Sequence, residues 1–359
     1  MTDSFRSTRD AKFHRALLEL RIVRIDTSAP TRIDLAGGTI DIWPLYLLHE
    51  GAQTINVAIS LRAEAQVEDR EDGRIVLHSE DTGQHVEFAD WSALRNTRHL
   101  RLLGLLVHWF LRGARGDKAS GGLTLTTRCE SPAGAGIAGS SALAVAVCAA
   151  LARWTGQSDN PERLLQLAAN IEAQTIRVPT GLQDYRPAMY GGICALELGV
   201  AGVRRVPLDV EARDLEQRLV LCYTGEPRNS GTNNWDIMKR HLDGDSHIYD
   251  CFERIRDTAS VMRDALERGD WGAVGQAIAE EWENRMRLAP GVTTPRINDL
   301  IDRSRQAGAL AAKVCGAGGG GCLFCFTDPA RRGAVEAALH AGGARLLPFT
   351  IEARGLLHG

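Results

Sequence analysis

The sequence predicts an α+β fold, because strand-like and helix-like segments alternate irregularly along its 359 residues. Some segments alternate apolar and polar residues, as half-buried strands do, and others repeat apolar residues every three or four positions, as amphipathic helices do. No segment recurs at a fixed period, which argues against solenoids and propellers. The length suits two domains, and we predict domains at residues 1–205 and 206–359, divided in a loop-like stretch of mixed charge.

Composition favours a small-molecule partner. The formal net charge is −3, so the chain has no large basic field, and we expect neither nucleic acid nor a membrane as its main partner. The first 20 residues are charged throughout, which favours an exposed helix over a signal peptide. Continuous apolar sequence is confined to residues 142–152, whereas a membrane span needs about 20 such residues. We therefore expect a cytoplasmic protein.

The first part of the chain is predicted to consist mainly of strands. Residues 21–38 have strand-like sequence that ends in the glycine pair Gly37–Gly38. Residues 54–80 predict two strands joined at Asp72–Gly73, a dipeptide typical of β-hairpin turns. A helix is predicted over residues 100–111.

The rest of the chain adds further strands and helices. GLTLTTRCE alternates as a strand does, and the apolar residues 140–154 predict a helix. The next helix begins with Asn160 as its cap and Pro161 in its first turn. Later strands are VLCYTG and the glycine-rich KVCGAGGGGCLFCF, flanked by helices at 251–270 and 330–344.

Eight cysteines are scattered along the chain without the spacing of a disulfide framework. Cys322 and Cys325 match C-x-x-C, but their apolar surroundings predict a buried strand, in which positions three apart point to opposite faces. We therefore expect neither a zinc site nor a redox site at this motif.

A glycine-rich loop, SPAGAGIAGSSAL at residues 131–143, contains G-x-G-x-x-G in Gly134, Gly136 and Gly139. A dinucleotide-binding fold would require a second strand that ends in an acid about 20 residues later. Here a second helix follows, and the nearest acid, Asp159, lies in a predicted turn. A Walker loop would require Gly-Lys-Ser/Thr at its end. Neither motif therefore explains the loop.

The order of strand, glycine loop, two serines and helix still predicts an anion site. Glycines let backbone N–H groups approach an anion, and a helix start carries unpaired donors and about half a positive charge. The hydroxyls of Ser140 and Ser141 suit phosphate or Mg²⁺. The alternative is a tight turn ahead of a buried helix.

Two further segments carry candidate functional charges. Arg32 and Asp41 flank the first glycine pair, and Glu172 and Asp184 lie twelve residues apart. Glu172 borders the apolar stripe of its helix, so its carboxylate needs a partner. The alternative to a functional role is an ion pair with a nearby arginine.

Three glycine-bearing segments, in this order, resemble motifs of the GHMP kinases, the superfamily of galactokinase, homoserine kinase, mevalonate kinase and phosphomevalonate kinase. They are APTRIDLAGGTID, SPAGAGIAGSSAL and KVCGAGGGGCLFCF. EDGRIVLHSEDTG and GLQDYRPAMYGG are most similar to the bacterial branch that contains D-glycero-D-manno-heptose 7-phosphate kinase. The resemblance implies a ribosomal protein S5 domain 2-like N-terminal domain that binds ATP, and a ferredoxin-like C-terminal domain, with ATP and acceptor meeting between them.

The resemblance also implies roles for individual residues. Asp184 would be the catalytic base and Arg32 the cation beside it, and Mg²⁺ would be bound by Ser141 and Glu172. The ATP phosphates would contact Gly134, Ala135, Gly136, Ile137, Ala138, Gly139, Ser140 and Ser141. The acceptor would contact Asp41, Gly191, Gly318 and Gly319, and we add Arg186 as a candidate acceptor contact from its own position two residues after the base.

The sequence departs from the heptose-kinase pattern near the acceptor. Ile40 replaces a hydroxyl residue beside Asp41, and Tyr185 and Arg186 follow the predicted base where the branch usually has Gln and Tyr. As a hypothesis, the Arg186 guanidinium binds an acidic group of the acceptor. The alternative is a structural arginine. The polar stretch 225–240 is interpreted either as a lid over the acceptor or as a solvated loop that leads into a helix.

We therefore predict an ATP- and Mg²⁺-dependent kinase, monomeric or homodimeric, that phosphorylates a hydroxyl, the anomeric one, of a sugar or sugar phosphate. One alternative is a kinase for another acidic alcohol, such as a mevalonate-like or uronic acid, and a second is ATP-assisted decarboxylation. A third is a non-catalytic sensor of sugar and nucleotide. The presence of both a metal ligand, Glu172, and a base, Asp184, favours an enzyme over a sensor.

Overall fold

A computed structural model describes residues 23–116, 121–227 and 230–359, without the side chains of residues 230–233. The strands are β1 (Arg24–Ala36), β2 (Gln53–Arg70), β3 (Ile75–Ser79), β4 (Gln84–Phe88), β5 (Gly122–Cys129), β6 (Ile193–Gly199), β7 (Gly202–Pro207), β8 (Leu219–Tyr223), β9 (Ala309–Val314), β10 (Cys322–Thr327), β11 (Arg345–Leu346) and β12 (Leu357–His358). The helices are α1 (Arg101–Arg112), α2 (Gly139–Thr155), α3 (Pro161–Ile176), α4 (Tyr185–Tyr190), α5 (Ala212–Glu216), α6 (Ser230–Leu242), α7 (Ser246–Arg268), α8 (Trp271–Leu288), α9 (Pro295–Gln306) and α10 (Arg332–Ala341). These elements confirm the α+β class, and the helix predicted within residues 1–20 lies outside the described residues.

The first sheet contains eight strands, and β2 is at its centre. Its order is β12–β1–β2–β5–β3–β4, and β6 pairs with both β2 and β7. Helices α1, α2 and α3 form a core with β1, β2, β3 and β5. Twelve of the 17 residues of α2 are buried, which explains its apolar sequence. Neither α2 nor any other helix in the described part of the chain is long and apolar enough to cross a membrane.

The predicted hairpin at Asp72–Gly73 is wrong. Both strands exist, as β2 and β3, but β5 lies between them and pairs antiparallel with β2 and parallel with β3. The partner of β3 on its other side is β4. Gly73 does turn the chain, with a φ of +70°. A turn dipeptide specifies only the local backbone conformation. Which strand pairs with β2 on this side depends on packing between residues that are distant in the sequence.

The second sheet has four antiparallel strands in the order β11–β8–β10–β9. One core fills the space between this sheet and helices α7 to α10. A further core joins the two sheets, with Ile33 and Ile55 of the first and Phe324 and Phe326 of the second. Cys322 belongs to the core between the sheets and Cys325 to the core under the helices. The two thiols therefore lie on opposite faces of β10, as the strand pattern predicts.

The last ten residues return to the first sheet. The Ser60 N–H donates to the Thr350 carbonyl at 2.9 Å, and the Glu352 N–H donates to the Ala58 carbonyl at 2.9 Å. Beyond them, β12 pairs with β1. The predicted boundary between residues 205 and 206 falls inside β7, and a division of the chain there stays a prediction.

Four fully buried charged residues connect β1 with α8 and β9. The Lys313 Nζ lies 2.8 Å from the Glu281 carboxylate and 3.6 Å from that of Asp34. The guanidinium of Arg285 lies 3.4 Å from Asp34 and also pairs with Glu281. Burial alone would raise the pKa of Asp34, but Lys313, Arg285 and Arg32 outweigh it and lower that pKa to about 2. We call Asp34, Glu281, Arg285 and Lys313 the buried charge cluster.

Lys313→Met is expected to lower the free energy of unfolding by about 3–5 kcal/mol, because it leaves Asp34 and Glu281 buried with one cation between them. Urea denaturation measures the change. Lys239→Met is the matched control, since Lys239 pairs with Asp243 on an exposed surface of α6, where an ion pair contributes about 0–1 kcal/mol. Equal stability of the two variants would contradict the structural importance of the cluster.

Candidate active site

The glycine-rich loop connects β5 to α2 and leaves backbone donors at the helix start. Gly134 and Gly136 have φ values of +70° and +78°, a region that favours glycine. The residue that precedes α2, Ala138, makes no side-chain hydrogen bond to the first turn. The N–H groups of this turn are therefore available to an anion.

Neighbouring strands hold this loop in place. The Arg32 N–H donates to the Ile137 carbonyl at 3.0 Å, and the Cys322 N–H donates to the Ala135 carbonyl at 2.6 Å. The Ile137 side chain is buried in the core between the sheets. Its backbone therefore fixes the loop to β1, while its side chain does not reach the cleft.

The carboxylate of Glu172, on α3, is buried and accepts three hydroxyl hydrogen bonds. Ser140 Oγ donates to Oε1 at 2.5 Å, and Ser141 Oγ and the Tyr185 hydroxyl each donate to Oε2 at 2.8 Å. Burial raises the pKa of Glu172, although the three hydroxyl bonds act in the opposite direction. Among the described residues, the side-chain partners of this buried acid are therefore hydroxyls at the start of α2 and beside Asp184, and not an arginine.

Asp184 lies at the start of α4 and is bound by Arg32 from β1. The Arg32 Nε donates to Asp184 Oδ1 at 3.1 Å, and Nη2 donates to the same oxygen. The remaining nitrogen, Nη1, donates to the Gly136 carbonyl at 2.8 Å. Arg32 is 1% exposed, so one buried guanidinium connects the glycine-rich loop to the predicted base.

The candidate phosphate, metal and base residues line one cleft with a volume of about 310 Å³. Glu172 and Asp184 both line it, together with residues of the glycine-rich loop. Seven of the eight predicted phosphate-binding residues are in its lining, namely Gly134, Ala135, Gly136, Ala138, Gly139, Ser140 and Ser141. The start of α2, Glu172 and Asp184 therefore converge on one cleft.

A smaller cavity adjoins this cleft and contains Asp41. The Asp41 Oδ2 accepts a hydrogen bond from the Gln183 N–H at 2.8 Å. A Cβ at Gly181 would lie 2.3 Å from Asp41 Oδ2, so only glycine fits there. Burial, assisted by the nearby charge of Asp184, raises the pKa of Asp41 to about 7. The lining residues are Arg32, Thr39, Asp41, Ile42, Gly181, Gln183, Asp184, Asn234, Gly316 and Ala317. We call this the acceptor cavity.

The buried charge cluster fixes the C-terminal wall of the acceptor cavity. The Gly316 N–H donates to Asp34 Oδ1 at 3.0 Å, and Arg285 Nη1 donates to the Gly316 carbonyl at 2.8 Å. Arg285 also lies 3.4 Å from the Thr39 hydroxyl. A Cβ at Gly38 would lie 2.4 Å from the Arg285 guanidinium. The cluster therefore holds both the Gly316 peptide and the glycine pair that precedes Asp41.

Four residues predicted to bind the acceptor lie outside the described lining of both cavities. Arg186 pairs with Glu162 at 3.0 Å. Gly191 ends α4 and packs on the C-terminal segment, where a Cβ would lie 2.5 Å from the backbone of residue 354. Gly318 and Gly319 pack on the backbone of residues 291 and 292. Gly316 and Ala317 line the acceptor cavity in their place, and the binding roles of the other four stay predictions.

Two family models match this chain. The model of the GHMP kinases N terminal domain matches residues 104–192, and that of GHMP kinases C terminal matches residues 262–345. The chain belongs to the GHMP kinases. It is an ATP-dependent kinase whose acceptor is an alcohol group.

Several proteins resemble this GHMP kinase over nearly their whole length. It is 28% identical over 338 residues to the D-glycero-alpha-D-manno-heptose 7-phosphate kinase of Campylobacter jejuni. The alignment covers 92% of this chain and 98% of that protein. It is 26% identical over 358 residues to a mevalonate kinase of Thermococcus sibiricus, covering 93% and 98%. A solved D-glycero-D-manno-heptose 1-phosphate kinase from Bacteroides thetaiotaomicron matches with a TM-score of 0.76 at 24% identity, covering 93% and 98%. The predicted GHMP kinase fold is confirmed.

Three site residues of this GHMP kinase had no role assigned from the sequence. Tyr185 and Gln183 flank Asp184, so their positions beside the predicted base were the available signal. Asn234 lines both the cleft and the acceptor cavity. It lies in the polar stretch 225–240, where no local pattern distinguishes it from its neighbours; Arg228 of that stretch lies outside the described residues.

Asp41→Asn is expected to become more stable relative to the wild type as the pH rises. The pKa of Asp41 is about 7 in the folded protein and 3.8 without its surroundings, so between these values the folded state holds a proton that the unfolded state releases. The contribution of Asp41 to the free energy of unfolding of the wild type therefore falls as the pH rises through that window, by up to about 4 kcal/mol. The asparagine variant does not titrate there.

The measurement is the free energy of unfolding in urea at about pH 4.5 and about pH 8 for both proteins. Asp250→Asn, at an exposed position of α7, is the control for a general effect of removing a carboxylate. A difference between Asp41→Asn and wild type that is the same at both pH values would show that Asp41 is ionised throughout.

Proposed function

We propose that this GHMP kinase transfers the γ-phosphoryl group of ATP to the anomeric hydroxyl of a sugar or sugar phosphate, with a heptose 7-phosphate as the type of acceptor. The observation that carries the proposal is the convergence of the α2 start, Glu172 and Asp184 on one cleft. The name of the Campylobacter jejuni relative supports the acceptor class. The mevalonate kinase relative makes an acidic alcohol the alternative acceptor.

The donors at the start of α2 fit ATP and Mg²⁺. GHMP kinases use ATP, generally with Mg²⁺, which neutralises charge on the transferred phosphoryl group. Phosphate oxygens require N–H and hydroxyl donors, and the first turn of α2 and Ser140 provide both. Mg²⁺ prefers oxygen ligands, and the Ser141 hydroxyl and Glu172 carboxylate lie 2.8 Å apart. The Tyr185 hydroxyl donates to the same oxygen, Oε2, and helps to orient that carboxylate.

Asp184 is suited to accept the proton of the attacking hydroxyl. It lines both the cleft and the acceptor cavity, so it lies where the two substrates would meet. Both hydrogen bonds from Arg32 to Asp184 go to Oδ1, which leaves Oδ2 for the acceptor hydroxyl. The two bonds from Arg32 also fix the position of this carboxylate between the two substrates.

The two halves of the chain would contribute different parts of this site. Residues 1–205 hold the proposed ATP and metal positions together with the base. Residues 206–359 provide Asn234, Gly316 and Ala317 on the acceptor side. A non-catalytic sensor remains the alternative from another class, and the presence of a base next to a metal ligand favours a kinase.

The kinase proposal predicts Mg²⁺-dependent ADP release in the presence of a sugar phosphate. Wild-type protein is incubated with ATP and a panel of sugars, sugar phosphates, mevalonate and uronic acids, and ADP is measured. We expect the highest kcat/KM for a heptose 7-phosphate. A higher value for mevalonate would overturn the acceptor class, and no ADP release with any acceptor would favour a sensor.

Asp184→Asn is expected to lower kcat by about 10²–10⁴-fold, because the amide keeps the size of the side chain but cannot take the proton. Binding of ATP, measured by calorimetry, should stay close to that of the wild type, since Asp184 is not among the proposed phosphate contacts. Asp250→Asn, at an exposed position of α7, is the control. Undiminished turnover would exclude Asp184 as the base.

A further inference from the structure

Three oxygen atoms in the acceptor cavity have no hydrogen-bond partner among the described residues. They are Asp41 Oδ1, Gln183 Oε1 and Asn234 Oδ1, and each is buried. All three residues line this cavity. Native proteins leave few buried polar atoms unpaired, because each costs about 1–3 kcal/mol. With Asp41 ionised, three such acceptors around one cavity favour a ligand or a water that supplies hydrogen-bond donors.

The charges of the acceptor cavity restrict what that ligand is. Arg32 is the one cationic residue in its described lining. Its guanidinium already donates to Asp184 and to the Gly136 carbonyl. The lining also contains two acids, Asp41 and Asp184. A carboxylate or phosphate placed here would face these acids without a free cation, which is unfavourable.

We propose that Gln183 and Asn234 are substrate-binding residues that act together with Asp41 to select a neutral, polyhydroxylated end of the acceptor. This inference rests on the proposed kinase function and adds the chemistry of specificity to it. Hydroxyl groups donate to the three free oxygens, and the amide groups of Gln183 and Asn234 donate in return. The phosphate of a sugar phosphate then lies outside the acceptor cavity.

The surrounding backbone holds two of these three acceptors in position. The Gln183 N–H binds Asp41 Oδ2, so the carboxylate and the amide are fixed relative to each other and to the adjacent base Asp184. Asn234 belongs to α6 and faces them from the C-terminal part of the chain. The cavity has a volume of about 30 Å³, close to that of one water molecule. A whole sugar therefore requires one wall to move as it binds.

The same residues would discriminate against acidic alcohols. Mevalonate presents a carboxylate and two hydroxyls, so it cannot supply three neutral donors from one end. A site built to hydrogen-bond a substrate hydroxyl rejects an analogue without it, because the polar groups of the protein are then left unpaired. The specificity of this site is therefore expected to follow the number of hydroxyl donors at the bound end.

Calorimetric titration without ATP tests this inference separately from turnover. The probes are D-glycero-D-manno-heptose 7-phosphate, its 2-deoxy, 3-deoxy and 4-deoxy analogues, and mevalonate. We expect Gln183→Ala and Asn234→Ala each to weaken binding of the heptose about 5- to 10-fold, with ATP affinity unchanged. Each variant should also lose discrimination against one of the deoxy sugars. The matched controls are Gln217→Ala and Asn170→Ala, at exposed positions on other surfaces.

Each result of the titrations supports or overturns the inference. Tighter binding of mevalonate than of the heptose would overturn it, as would wild-type affinity for the heptose in both cavity variants or no binding of the heptose at all. Thermal unfolding of each variant shows whether it folds. If one of the two cavity variants has a folding defect, the binding data of the other variant decide whether the inference holds. Heptose binding that depends on Gln183 and Asn234 but without ADP release would sustain the inference and refute the kinase proposal.

Discussion

The hydrogen bonds of Arg32 are the interaction on which the geometry of the cleft depends. One guanidinium, buried on β1, reaches both the carbonyl of the glycine-rich loop and the carboxylate of Asp184. A lysine has a single ammonium group and could not span these two partners with a planar fork. Because β1 is paired with β2 along most of its length, the distance between the proposed phosphate site and the base is set by a sheet and not by loops.

The buried charge cluster plays a corresponding part for the acceptor cavity. Removing four charged groups from water is costly, so a cluster with this many ions contributes less to net stability than its contacts suggest. Its geometric result is specific, since Asp34 and Arg285 bind the two polar groups of the Gly316 residue. Arg285 also restricts position 38 to a residue without a side chain. Stability and site geometry are thus maintained by the same residues.

The sequence predicts the parts of this protein that depend on local patterns. The strand, glycine loop and helix around residues 122–155 follow from hydrophobic periodicity and helix-start chemistry, and the burial of Glu172 follows from its place on the apolar stripe of α3. The parts that depend on distant packing were not predictable. The insertion of β5 between β2 and β3 is decided by the whole sheet. Likewise, Gly318 follows the motif but packs on the backbone of residue 292.

The return of the C-terminal segment to the first sheet has a consequence for the order in which this protein can form. Residues 350–359 are synthesised after the other strands of both sheets, yet they supply hydrogen-bond partners for β1, for Ala58 and for Gly192. Until they leave the ribosome, the outer side of β1 is an unpaired edge, the kind of surface that attracts other extended chains. The edge of β1 is therefore completed only once residues 350–359 have been made, and until then Arg32 holds the glycine-rich loop from a strand with one open side.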